Sequence, residues 1–331
     1  MDLSIVIVTW NAREHLAACL DSLADHPFRG ESEMIVVDSA SSDGTAAMVR
    51  ERFPRVRLLA LDENRGFAAG NNAGLREAGG RFALLLNPDT LVHAGALDAL
   101  VEFAEAHPRA WAVGPKLLDT GGALQRTGVR FPSAWNLLVE TLFLDRLLPG
   151  TRLFAAHREL FADPGQARRV DYLQGSCLLL RAEALARVGL LDEGYFLYFE
   201  ETDWCRRCAD AGGEVHYAPQ AVVTHHGGGG DPHYGEARLV LYHESLLRYC
   251  GRHLAPVHAL AVRAVLVLRS LVRLLLWLAI AITGVRDRAR AWSSVRGYAR
   301  VLPWLFAPAR ERRAAGAAAA PSAPAGEGRA R

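Results

Sequence analysis

Arg81 to Thr90 reads RFALLLNPDT, and its abrupt change of character decides the fold. The apolar run after Phe82 suits a central strand covered on both faces. Pro88 has no N–H with which to continue a ladder, so the chain turns there. The turn presents Asp89 at the carboxyl end of a strand. In open α/β sheets ligands bind along that edge, and a carboxylate held there suits a divalent cation set against a phosphate. An ordinary Asn-Pro-Asp turn is the plainer reading of the same residues, and the rest of the chain decides between the two.

The same alternation recurs on either side. LSIVIV (3–8) reads as a buried strand, and Asn11 with Glu14 as a capping-box variant opening a helix over 12–24. MIVVD (34–38) is a second strand, followed by SASSDGT and a helix from Thr45 to Phe53; VRLLAL (56–61) is a third, followed by NRGFAAGNNAG and a short helix to Ala78. Beyond Thr90 the pattern gives a helix over 94–106, strands at WAVGPKLL (111–118) and YLQGSCLLLR (172–181), and a helix over 183–188. GGALQRTGVRFPS reads as loop or hairpin, and 135–161 as mixed and partly helical. DEGYFLYFEETDWCRRCADAG supplies a loop and a helix, and VHYAPQAVVTHH a last strand ending at His225 and His226. Strands alternating with helices at this spacing predict an α/β fold with a mostly parallel, doubly wound sheet flanked by helices.

The chain has 331 residues, half of them apolar, and a formal charge of +2, enough for one domain of about 230 residues with an appendage, or for two smaller domains. Its five cysteines show no framework spacing, and nothing at Met1 resembles a signal peptide, so a reducing cytoplasmic setting is expected. Cys205 and Cys208 form a CxxC inside a helical pattern with no second pair, which supports neither a zinc site nor a redox motif.

Charge is uneven: residues 284–331 carry ten Arg against three acids, a formal +7, which leaves the first 283 residues at −5. From Glu236 the pattern is helical to Thr283. Arg263, Arg269 and Arg273 fall on one stripe of an otherwise apolar helix, and the uninterrupted apolar run 274–285 is twelve residues, short of the roughly 20 that cross a bilayer. Residues 254–285 therefore read as a helix lying on a membrane surface, with a buried partner helix as the alternative. The expected organisation is a catalytic domain over 1–230, a helical membrane-surface segment over 231–285, and a basic, low-complexity, partly disordered tail over 286–331. The basic tail beside an apolar segment points to an anionic membrane rather than to nucleic acid.

Polar clusters fall at strand ends or just beyond them: Asp38 with Asp43, Asn64 to Asn72, Asp89, Glu200 with Glu201, and His225. In a parallel sheet such ends share one crevice. NRGFAAGNNAG lacks the GxGxxG spacing, and Lys116 is the one lysine in the chain, which argues against a dinucleotide dehydrogenase or a P-loop enzyme.

In order, VIVTWN, VVDSASSDGT, NRGFAAGNNAG, LLLNPDT, GSCLLLR, LDEGYFLYFEETDWCRR and VVTHHGG resemble the family 2 glycosyltransferases of the GT-A fold, over residues 2–228. Within that family they look most like the bacterial rhamnosyltransferase-like branch of cell-envelope polysaccharide assembly, as does GPKLLDTGGALQRTG. The resemblance implies an inverting hexosyltransferase that uses a divalent cation, Mg or Mn. It would move a sugar, rhamnose in the branch named, from a dTDP or UDP donor to a hydroxyl of a glycan or lipid-linked acceptor. Its implied place is the inner face of the cytoplasmic membrane. Thr9 would line the nucleotide pocket, Asp38 would bond the base, and Asn64, Gly66, Asn71 and Asn87 would meet the nucleotide sugar. Asp89 would hold the metal with His225, or His226 in its place. Asn87 stands where the family commonly has the first carboxylate of DxD.

Glu201 occupies the position of the base, where the family more often has Asp, with Glu200 as substitute. The plainer readings are an N-cap or Asx-turn for Asp38, a helix cap for Asp43, and helix-dipole complementation by Glu200, Glu201 and an Asp203–Arg207 pair. A glycine-rich loop would let the backbone approach the donor beside a helix amino terminus. Two rivals remain open: a polyprenyl-phosphate glycosyltransferase, and a catalytically weak nucleotide-sugar-binding assembly subunit.

Overall fold

The computed structural model describes residues 1–125, 127, 129–148, 151–155, 163–227, 237–285 and 287–307. Its first part alternates as the sequence predicts: β1 (Leu3–Thr9), α1 (Arg13–Asp25), β2 (Ser32–Asp38), α2 (Thr45–Arg52), β3 (Arg57–Ala60), α3 (Phe67–Glu77) and β4 (Phe82–Leu86). The middle adds β5 (Thr90–Val92), α4 (Ala96–Ala106), β6 (Ala110–Leu118), β7 (Leu124–Gln125), α5 (Ala134–Thr141), α6 (Leu144–Leu147) and α7 (Arg152–Ala155). It ends with β8 (Arg168–Val170), β9 (Cys177–Arg181), α8 (Ala182–Val188), α9 (Glu200–Asp210) and β10 (Glu214–His225). Three helices follow: α10 (Ala237–His253), α11 (Pro256–Thr283) and α12 (Arg288–Trp304).

One sheet runs in the order β3-β2-β1-β4-β9-β6-β10-β5, with β7 paired to β6 and β8 to β10. β3, β2, β1 and β4 are mutually parallel, and β10 is parallel to β6. β9 enters antiparallel to both β4 and β6, so the sheet is mixed beyond β4. An apolar run buried on both faces carries no mark of its direction, which is why sequence alone leaves β9 unoriented. GGALQ closes an antiparallel hairpin between β6 and β7.

The central strands are buried on both faces, and alternate residues serve opposite cores. Ile5, Ile7 and Leu84 pack with Leu16, Leu20 and Leu100, whereas Val6, Leu85 and Leu178 pack with Leu75, Ala184 and Trp204. α3 lies close on β1: a Cβ at Gly70 would come within 2.6 Å of Val8 Cγ1, and one at Gly74 within 2.4 Å of Val6 Cγ1. Gly66 has φ +88°, and a Cβ there would meet the Phe196 carbonyl oxygen. Gly66, Gly70 and Gly74 of NRGFAAGNNAG therefore each answer to close packing within the protein. Cys205 and Cys208 are packed in the same core as Trp204, and burial pushes the Cys208 thiol up to about 12, which removes it from thiolate chemistry.

The C-terminal helices differ from the expectation in two respects. Residues 288–304, read as part of a basic tail, form α12, which packs on α11 and α10; residues 308–331, where the low-complexity reading falls, lie outside the described residues. The arginines of α11, which read as one polar stripe on a membrane-surface helix or else as part of a buried partner helix, each turn to a protein partner. Arg263 Nε donates to the Leu305 carbonyl at 2.7 Å, Arg269 pairs with Glu140 at 3.3 Å, and Arg273 lies over the Phe143 ring at 4.4 Å. The outward residues are apolar instead, among them Val257, Leu260, Leu268, Leu271, Leu275 and Ile282. α11 is a 28-residue helix, long and apolar enough by length and composition to cross a membrane. Its arginines escape the usual penalty because the neighbouring helices supply acceptors and ring faces.

Candidate active site

Strand register sets the edge. Thr9 pairs with Asp38 across β1 and β2, and the chain leaving β4 is anchored by the Asn87 N–H donating to the Ser176 carbonyl at 2.9 Å. Asp38 is buried, and its Oδ2 accepts from the Ser41 N–H at 3.4 Å. Its Oδ1 has no partner in the protein, and burial raises its pKa. Thr9 Oγ1, Asn71 Oδ1, Asn87 Oδ1 and Asn64 Nδ2 are likewise buried without a protein partner. Buried polar atoms are nearly always satisfied by protein or water, so unsatisfied ones at the ends of β1, β2 and β4 and on the loop and helix of α3 form a set suited to a polar ligand. Two of these side chains are fixed by their other ends: Asn64 Oδ1 accepts from the Gly66 N–H at 2.9 Å, and Asn71 Nδ2 donates to the Phe67 carbonyl at 2.9 Å.

Neighbouring polar residues are spent on structure. Asp43 accepts from the backbone N–H groups of Arg13 and Thr45, each at 3.0 Å, so it caps two helices at once. Asn11, expected to cap α1, has φ +50° and bridges to Ser42 instead, its Oδ1 accepting from the Ser42 N–H at 2.8 Å. Asn72 is tied to Leu191 and Glu193.

Beyond Pro88, Asp89 Oδ1 lies 3.4 Å from His225 Nε2. His226 is turned elsewhere: its backbone N–H donates to the Asp89 carbonyl, and its ring meets His15 edge-on. Gln125, which sequence reasoning quoted within GPKLLDTGGALQRTG but gave no role, sets the state of His225. Its Nε2 donates to the carbonyls of His225 (2.8 Å) and Gly227 (3.1 Å). Carbonyls only accept, so the amide is fixed with Oε1 towards His225 Nδ1 at 3.0 Å. Nδ1 must then carry the hydrogen, which leaves the Nε2 lone pair aimed at Asp89.

A carboxylate and an imidazole lone pair at this separation suit two cis ligands of one ion, which sit about 3 Å apart when each bond is about 2.1 Å. Gly227 keeps the space open, since a Cβ there would lie 2.6 Å from His225 Nε2 and 3.3 Å from Asp89 Oδ2. No group of three or more His, Cys, Asp or Glu that could hold a metal occurs among the described residues, so a cation here would take its remaining ligands from substrate. Gln125→Leu should lower manganese affinity about 10-fold to 100-fold while leaving metal-free nucleotide binding unchanged, as read by calorimetry.

The third component follows two consecutive left-handed residues, Tyr198 at φ +70° and Phe199 at φ +68°. Non-glycine residues in that region cost about 1–3 kcal/mol each and persist where the surroundings enforce them. Here they swing the chain so that α9 opens with Glu200 and Glu201 facing a cavity of about 620 Å³. Burial drives both carboxyls up, and the charge of Glu201 adds to the rise at Glu200. Each keeps one oxygen without a protein partner.

Asp203, one turn on, is different. It is fully buried and saturated by Arg207 (2.8 Å) and by His253 of α10 (2.7 Å). The structural reading therefore holds for Asp203 and Arg207, while each of the two glutamates lines the cavity and keeps an oxygen without a protein partner. Asn87, Ser176 and His225 line the same cavity. Ser176 was missed in the sequence because the antiparallel entry of β9 alone brings its start to this edge.

Known proteins match in sequence and in fold. Residues 4–159 match the family described as Glycosyl transferase family 2. An N-acetylglucosaminyl-diphospho-decaprenol L-rhamnosyltransferase of Mycobacterium tuberculosis (strain ATCC 25618 / H37Rv) is 32% identical over 82% of this chain and 94% of its own length. Rhamnosyltransferase WbbL of Escherichia coli (strain K12) is 26% identical over 56% of this chain and 70% of its own. Among solved structures, a mannosyltransferase from Pyrobaculum calidifontis in complex with GDP-Man and Mn2+ superposes with a TM-score of 0.53 at 19% identity, covering 96% of this chain and 86% of that one. The architecture is GT-A, and the chain is a glycosyltransferase belonging to glycosyl transferase family 2.

Proposed function

We propose that the protein is an inverting, cation-dependent rhamnosyltransferase, taking its sugar from a dTDP or UDP donor and passing it to a hydroxyl of a lipid-linked cell-envelope glycan. The observation that carries this reading is the continuous edge from the partnerless Asp38 Oδ1, past Asn87, to the facing Asp89 and His225. Rhamnose and a lipid-linked acceptor are supported by the names of the curated relatives.

In this reading Asp38 accepts from the N3 hydrogen of uracil or thymine, and Thr9, Asn64 and Asn71 meet the rest of the nucleoside and its phosphates. Gly66 serves by shaping the loop. Asn87 offers a neutral oxygen to the donor. Asp89 and His225 would hold a divalent cation, which supplies Lewis-acid stabilisation of the diphosphate leaving group when bound. Glu201 takes the proton of the acceptor hydroxyl as that oxygen bonds to the anomeric carbon. The bond to the diphosphate breaks on the opposite face, and the nucleoside diphosphate leaves with the electron pair. With one base and no carboxylate placed as a nucleophile, the displacement is single and inverts the anomeric centre. The cavity also has to exclude water, since water is a competing acceptor. The outward apolar face of α11 would rest in the inner face of the cytoplasmic membrane, where a lipid-linked acceptor is presented.

Calorimetric titration with UDP and dTDP, each with and without manganese, tests the reading. Tighter binding in manganese is expected for at least one nucleotide. Binding of neither under any condition would overturn it, and donor binding without turnover on any acceptor would leave a binding subunit.

A further inference from the structure

The cavity in front of Glu200 and Glu201 is closed on its far side by residues outside the matched family segment: Arg238, Tyr242 and His243 of α10, Arg269 of α11 and Tyr298 of α12. A base must touch the hydroxyl it deprotonates, so whatever accepts the sugar lies between these walls. The chemistry of the far wall is specific. His243 is buried, and its Nδ1 lies 2.7 Å from the Leu239 carbonyl. A carbonyl only accepts, so Nδ1 carries the hydrogen and Nε2 presents a lone pair, buried and without a protein partner. Burial holds the imidazole at about 4, neutral at physiological pH.

Arg269 is mostly buried and faces Glu140 at 3.3 Å. An aromatic wall with a hydrogen-bond acceptor suits a sugar, and a guanidinium in the same wall suits a phosphate oxygen. The source of that phosphate follows from α11 itself. Arg269 enters the cavity, while Leu268, Leu271 and Leu275 on the same helix are 39%, 41% and 65% exposed on the outside. One helix thus carries both a cation that lines the polar chamber and an apolar outer face.

Resting on the transferase reading above, we propose that α10 and α11 form an acceptor subsite for a glycosyl diphosphate carried on a hydrocarbon chain. His243 Nε2 accepts from a sugar hydroxyl, Arg269 takes the diphosphate, and the chain leaves over Leu268, Leu271 and Leu275.

The test measures binding of a single-chain alkyl-diphospho-GlcNAc in detergent, of inorganic pyrophosphate, and of dTDP with manganese, to the full chain and its variants. Arg269→Met should weaken the glycolipid at least 10-fold and His243→Phe about 5-fold, with dTDP unchanged. Because Arg269→Met removes a cation that faces Glu140, the double variant Arg269→Met/Glu140→Leu removes both charges, and it should show the same selective loss. Unchanged glycolipid affinity in variants that bind dTDP normally would overturn the subsite. So would a wild-type chain that binds dTDP but not the glycolipid, with the transferase reading still standing. Pyrophosphate binding as tightly as the glycolipid would make this a free-anion site and overturn the lipid assignment. Loss of dTDP binding by the wild-type chain itself would instead sink the transferase reading.

Discussion

Glu201→Gln is expected to reduce turnover by about 10³-fold, within the range that a positioned general base contributes, and to leave donor affinity within about threefold of wild type. The substitution keeps the shape of the side chain and removes only its basicity. Nothing in the donor-binding edge depends on that charge, since Asp38, Asn87 and Asp89 lie on other elements. Glu200→Gln should cost about tenfold, because the amide keeps the size and polarity of the side chain beside Glu201 and removes only a carboxyl whose charge burial already disfavours. The pH profile gives an independent check. The base must be ionised to work, and burial raises its pKa, so activity should fall with decreasing pH well before the roughly 4.3 of an unperturbed glutamate. Equal loss of donor binding and turnover in Glu201→Gln would remove Glu201 from the base role.

Asp89→Asn should abolish the manganese dependence of donor binding and lower turnover by about 10³-fold, equivalent to about 4 kcal/mol of transition-state stabilisation. The amide retains a neutral oxygen but loses the charge. With Asn87 standing where a second acid is common, no other carboxylate on this turn replaces it. Calorimetry with and without manganese reads the first effect and steady-state rates the second. A variant that still binds its donor more tightly in manganese would move the cation away from Asp89.

Much of this was legible in the chain. The buried strands with polar residues at their ends gave β1, β2 and β4, and the shared edge followed from parallel pairing. Asp38, Asp89 and His225 needed only that edge to be brought together. Three things were hidden. The direction of β9 has no signature in an apolar run, so Ser176 could not be placed. Gln125 acts through another residue, and an amide that orients a histidine looks in sequence like any loop glutamine. The inward turn of the α11 arginines stayed open between a membrane-surface helix and a buried partner helix because periodicity gives one face of a helix, not which face is turned inward.

Tyr195 and Phe199 beside the catalytic helix pack into one core with Leu246, Tyr249, Val262 and Val301 of the C-terminal helices. Asp203 is also held by a hydrogen bond to His253 from across the same seam, at 2.7 Å. A cut near residue 230 would therefore not release a smaller working enzyme. It would bare an aromatic face and strip a buried carboxylate of a partner one turn from the base. The strands that carry the candidate site and the helices that follow them share one core, so a graft of either onto another scaffold has to carry its half of that core.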